Sequence, residues 1–69
     1  LAGLMDLRRA IKLDNNNISY KEYLLFFYDL PEPLLDADEA IKVAQEIIKY
    51  NPTSEVALHI LEHNKRNLN

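Results

Sequence analysis

At 69 residues the chain has room for one small domain, of a size that buries only about 60% of the surface exposed when unfolded. With no cysteine, neither disulfides nor thiolate metal sites can reinforce so small a core. With 8 Lys+Arg against 11 Asp+Glu and a pI near 5.2, it lacks the basic footprint that phosphate backbones or anionic lipids demand, so neither nucleic acid nor a membrane is expected as partner. One Gly and three Pro, with apolar residues near half of the chain, favour long regular elements over many tight turns. The expected class is all-α.

No apolar run approaches the roughly 20 residues that a membrane span needs. The chain starts at Leu1 rather than Met and passes straight into a helical pattern, so a fragment or a processed product is expected. Leu4, Leu7 and Ile11 recur at helical spacing, with Gly3 and Ala10 flanking the same face. Asp14 and the run Asn15 to Asn17 break this first helix, because short amide and carboxylate side chains bond their own backbone.

Ser19 with Glu22 has the spacing of a capping box and opens a second helix, whose Tyr20, Tyr23, Leu24, Phe27 and Tyr28 are predicted to share a buried face. It must stop by Leu30, since Pro31 and Pro33 restrict the backbone ahead of them. Asp36 and Glu39 form another capping pair, followed by Ala37, Ala40, Ile41, Ala44, Ile47 and Ile48 at steps of three and four. Asn51 and Pro52 end that third helix. Thr53 or Ser54 then caps a fourth, with Ala57, Ile60 and Leu61 inward and a tail expected to fray from Asn64 to Asn69.

The segment from Asp36 through Ala40, Ile41, Ala44, Ile47 and Tyr50 to Pro52 resembles the second half of a tetratricopeptide (TPR) repeat. The opening segment resembles the same half-repeat, with Gly3 in the place of Ala40, Leu4 of Ile41, Ala10 of Ile47 and Asn15 of Pro52. Asn15 and Pro52 are 37 positions apart, against a family period of about 34 residues; an insertion around Pro31 to Leu35 accounts for the difference.

The resemblance implies four helices arranged as antiparallel pairs of a TPR-like right-handed superhelix. Residues 1–14 would be the second helix of an incomplete repeat, 15–52 one complete repeat, and 53–69 the first helix of a further one. Gly3 and Ala40 would stand at helix crossings, where only a small side chain lets two backbones approach, with Leu24 and Tyr28 packed against that stripe. The first helix of the repeat departs from the family pattern: Lys21 stands in the place of a large aromatic and Leu25 in that of a Gly or Ala. Ala44, small for its place, would leave room for Leu25. Both end helices lack a partner, so neighbouring repeats or self-association are implied.

In this family the first helices line a concave groove for an extended or helical peptide. Carried over, that groove comprises Ser19, Glu22, Phe26 and Asp29 from one helix and Val56, His59 and His63 from the other. Phe26 is read either as partial core or as an exposed anchor of the kind that dominates binding energy. Glu22, Phe26 and Ile60 occupy the places where some members clamp a C-terminal carboxylate with cations and amides, so an acidic peptide tail is a poor fit, and Glu22 and Asp29 favour a basic or mixed partner.

His59 and His63, four apart with Glu62 beside them, have a spacing that holds a metal only if further ligands join them, and no Cys or definite third ligand does; no metal or cofactor is expected. Imidazole changes charge near neutral pH, which would make such a groove pH-sensitive. A calcium loop closed by Glu22 would place Ile11 and Leu13 at ligand positions, where neither offers a side-chain oxygen. No nucleophile and base stand together, so no enzyme is expected. The expectation is a protein-binding scaffold; the alternative is a helical oligomerisation element without a peptide ligand.

Overall fold

A computed structural model describes residues 3–67, and shows four α-helices and no strand among them: α1 (Leu4–Leu13), α2 (Ile18–Leu25), α3 (Ala37–Tyr50) and α4 (Glu55–Asn67). The all-α class is as the sequence predicts. Gly3 precedes α1 in extended backbone, and a Cβ built there meets nothing within 4 Å. No other described helix comes within 4 Å of that position, as expected of an end helix without a partner. Ala40, the proposed equivalent of Gly3, is fully buried.

The start of α2 also differs from the expectation. Asn17, not Ser19, caps it: Asn17 Oδ1 accepts the Tyr20 N–H at 3.0 Å, while Asn17 Nδ2 donates to Asp14 Oδ2 at 3.2 Å. The shorter turn lets the Asn17 amide reach the free donor first, which places Ser19 inside the first turn. At the other end, the N–H groups of Phe26, Phe27, Tyr28 and Asp29 each donate three residues back, to Tyr23, Leu24, Leu25 and Phe26 at 3.1 to 3.2 Å. The chain thus tightens ahead of Pro31, and Phe27 and Tyr28 lie beyond the helix rather than within it.

The α2 to α3 connector turns back on itself, with the Leu34 N–H donating to the Phe27 carbonyl at 3.0 Å. Leu34 is exposed and Leu35 buried. The capping of α3 is as predicted on one side only: Asp36 Oδ1 accepts the Glu39 N–H at 2.7 Å. The Glu39 carboxylate does not return to complete a capping box, because Arg8 of α1 takes both of its oxygens, at 2.5 and 2.9 Å. That guanidinium holds the Glu39 carboxyl below the usual carboxylate range, by hydrogen bonding first and by its charge in addition.

α2 sits between two apolar clusters. On one side Leu24 joins Leu7 of α1 and Leu35 of the connector; on the other Leu25 joins Ala40, Ala44 and Ile47 of α3 with Ala57 and Ile60 of α4. So Leu25, rather than the expected Leu24, meets the small-residue stripe, while Tyr28 packs against both clusters. Leu25 and Ala44 are both fully buried in one cluster, as the size of Ala44 suggests. Tyr23, expected on the buried face, is exposed. Lys21, only 5% exposed, places its Nζ 2.9 Å from Glu46 Oε2, so α2 and α3 are joined by an ion pair.

The α4 helix continues through the region expected to fray. Asn64 is 4% exposed, and its Nδ2 donates to the Ile60 carbonyl at 2.8 Å. Leu68 and Asn69, the end of the expected tail, lie outside the described residues.

Candidate partner-binding site

Two polar links tie α2 and the turn that follows it to α4, at either end of their contact. Near the start of α4, Ser54 Oγ donates to Glu22 Oε2 at 2.6 Å and accepts the Ala57 N–H at 3.4 Å. Ser54 is thus the cap of α4, whereas Thr53 turns its hydroxyl to Asn51 Oδ1 at 3.1 Å. A carboxylate at the first turn of a helix also faces its positive dipole end. At the far end Tyr28 Oη donates to Asn64 Oδ1 at 3.2 Å. Leu25, Ala57 and Ile60 are buried in the apolar cluster that joins the two helices.

Beside this contact opens a cleft of about 250 Å³, where Asp29, Leu30 and Pro33 face His59 and His63, and half-buried Tyr28 and buried Ile60 contribute to the lining. The two imidazoles stack, with ring centroids 6.3 Å apart and planes 18° from parallel. No group of three or more His, Asp or Glu side chains placed to hold a metal ion occurs among the described residues.

Leu30 also lines an adjoining apolar depression with Tyr23, Phe26 and Phe27. Phe26 is 56% exposed and meets the Tyr23 ring edge to face, at 6.2 Å between centroids. Of the two readings of Phe26, the structure gives the exposed one. An edge-to-face pair holds both rings without burying either, leaving aromatic area open to solvent.

The residues named from the sequence therefore separate. Asp29, His59 and His63 meet in one cleft, and Phe26 adjoins it through Leu30. Glu22 is held by Ser54; Val56 is half-buried against the α2, α3, α4 cluster; Ser19 is exposed and lines neither depression. Leu30, Pro33 and Tyr23 were not anticipated. The i, i+3 aromatic pair Tyr23 and Phe26 was a usable signal for the last of these, but the first two belong to a connector whose path no periodicity describes.

A second cleft, about 430 Å³, lies between the α1 to α2 turn and α3, where Lys42, Lys49 and Tyr50 approach Lys21 and Glu46. No helix in the structure is long and apolar enough to cross a membrane. In comparisons with protein-family models, curated proteins and solved structures, nothing matches the chain.

Proposed function

We propose that this chain is a protein-binding scaffold of tetratricopeptide type, and that the face formed by α4, the end of α2 and the turn that follows it, the α2/α4 face, receives a peptide or partner helix. The observation that carries the reading is that one residue, Leu30, lines both the Asp29, His59, His63 cleft and the exposed Tyr23, Phe26 depression. Binding energy concentrates on aromatic anchors beside oriented polar groups, and this face supplies both. The packing order supports the repeat: each helix packs on the next, and α2 packs directly on α4, as first helices of successive repeats would.

In this reading residues 1–14 are the second helix of an incomplete repeat, 15–52 form one whole repeat and 53–69 begin a further one, with the insertion near 31–35 supplying Pro33 to the cleft. The role is binding rather than catalysis. Ser54, the hydroxyl held by a carboxylate, is buried and committed to capping α4.

Selection of random displayed peptides against the chain, followed by amide-shift mapping of the selected sequences, tests the reading. Shifts should centre on residues 26–30, His59 and His63, and Phe26→Ala and His59→Ala should each weaken binding while leaving helix content unchanged. Shifts confined to α1 and α3 would sink it.

A further inference from the structure

We propose that the α2/α4 face takes a segment that is cationic and apolar together, with a lysine or arginine against Asp29 and an aliphatic or aromatic side chain on Tyr23, Phe26 and Leu30. The proposal rests on the reading of this face as the binding face and names the chemistry of its partner.

Charge is distributed unevenly over the described side chains. Arg8 is held by Glu39 and Lys21 by Glu46, Lys42 and Lys49 line the cleft on α3, and Arg9 and Lys12 lie on α1. None of these cations lines the α2/α4 cleft or the aromatic depression beside it. Asp29 lies in that cleft and is exposed, and Glu32 is exposed between the cleft residues Leu30 and Pro33. Glu22, on the same helix as Tyr23, has the Ser54 hydroxyl as its partner.

Each alternative chemistry leaves a cost at this face. An acidic segment would set like charges against each other across a site with no described cation to separate them. A wholly apolar segment would strip water from the Asp29 carboxylate and return no hydrogen bond. A wholly polar basic segment would leave the Tyr23 and Phe26 rings uncovered. Because Leu30 belongs to both depressions, one segment can place a cation and an apolar side chain side by side.

The test uses three synthetic peptides of equal length: a leucine/lysine amphipathic helix, its leucine/glutamate counterpart and a serine/lysine control. Binding is followed by amide shifts of the whole chain and by anisotropy over a salt series. The leucine/lysine peptide should shift residues 26–30, His59 and His63, and should weaken as salt shortens the screening length. Asp29→Lys should weaken it about 3- to 10-fold through the loss of one charge attraction and its replacement by repulsion. Lys49→Glu, in the other cleft, should leave its shifts at residues 26–30 in place.

Equal binding of the leucine/glutamate peptide at the same residues would overturn the cationic partner while leaving the binding face intact. Equal binding of the serine/lysine peptide would overturn the apolar half. Concentration-dependent shifts of these amides in the chain alone would assign the face to a second copy, against the proposal. If no peptide moves this face, the proposal and the reading beneath it fall together.

Discussion

Tyr28 and Asn64, 36 positions apart in sequence, meet through a 3.2 Å hydrogen bond from the phenol to the amide oxygen, and this link secures the far end of the α2 to α4 contact. Asn64 uses its amide nitrogen on the Ile60 carbonyl, so both ends of the side chain are engaged in a buried place. Asn64→Ala should destabilise the chain by about 1–3 kcal/mol, and Tyr28→Phe by about 0.5–1.5 kcal/mol, because a buried partner is left unpaired. Urea titration of the variants checks both values. A neutral Asn64→Ala would show that the end of α4 does not hold this contact in solution.

The Lys21 and Glu46 pair is asymmetric, the lysine side chain 7% exposed and the glutamate side chain 39%. Removing the acid leaves a buried ammonium, whereas replacing the lysine by an unbranched apolar chain of similar length removes the charge at its source. Glu46→Ala should therefore cost about 1–2 kcal/mol, less than a fully buried pair because water reaches one partner. Lys21→Met should be near neutral or stabilising. Equal losses for the two, by chemical denaturation, would contradict the asymmetry.

Asn17 and Ser19 make a clean comparison for the start of α2. Asn17→Ala removes the acceptor of the Tyr20 N–H and should cost about 1 kcal/mol, while Ser19→Ala sits inside an exposed first turn and should change stability by less than about 0.5 kcal/mol. Thermal melting of the two single variants measures this; the reverse ranking would move the helix start back to Ser19.

Glu39 is held below the usual carboxylate range by its hydrogen bonds to Arg8, against a reference value of 4.5. A carboxyl with a depressed folded value contributes stability above its unfolded value and loses it as pH falls through the folded one. Both side chains are about a third or more exposed, so the contribution is at most about 1 kcal/mol. Glu39→Gln should lower the melting temperature slightly at pH 7 and match the parent chain at pH 2. A difference that persists at pH 2 would trace the effect to packing rather than charge.

The pattern of residues by itself determined the four helices and most of their ends, because periodicity, Asp36 and the prolines act through local backbone geometry. The buried stripe of α3, with Ala40, Ala44 and Ile47, was legible for the same reason: that helix turns one face to its neighbours. α2 was not legible in this way. It is packed by α1 on one side and by α3 and α4 on the other, so the adjacent Leu24 and Leu25 are both buried, in different clusters, and no single apolar face exists to be read.

The candidate site divides along the same line. Asp29, His59 and His63, named through the resemblance to a repeat groove, do meet in one cleft. Leu30 and Pro33 join them because the connector folds back, and Glu22 and Val56 are drawn off by Ser54 and the core. Those outcomes depend on which side chain reaches a partner first across many intervening residues, a competition that tertiary contacts decide and local spacing does not encode.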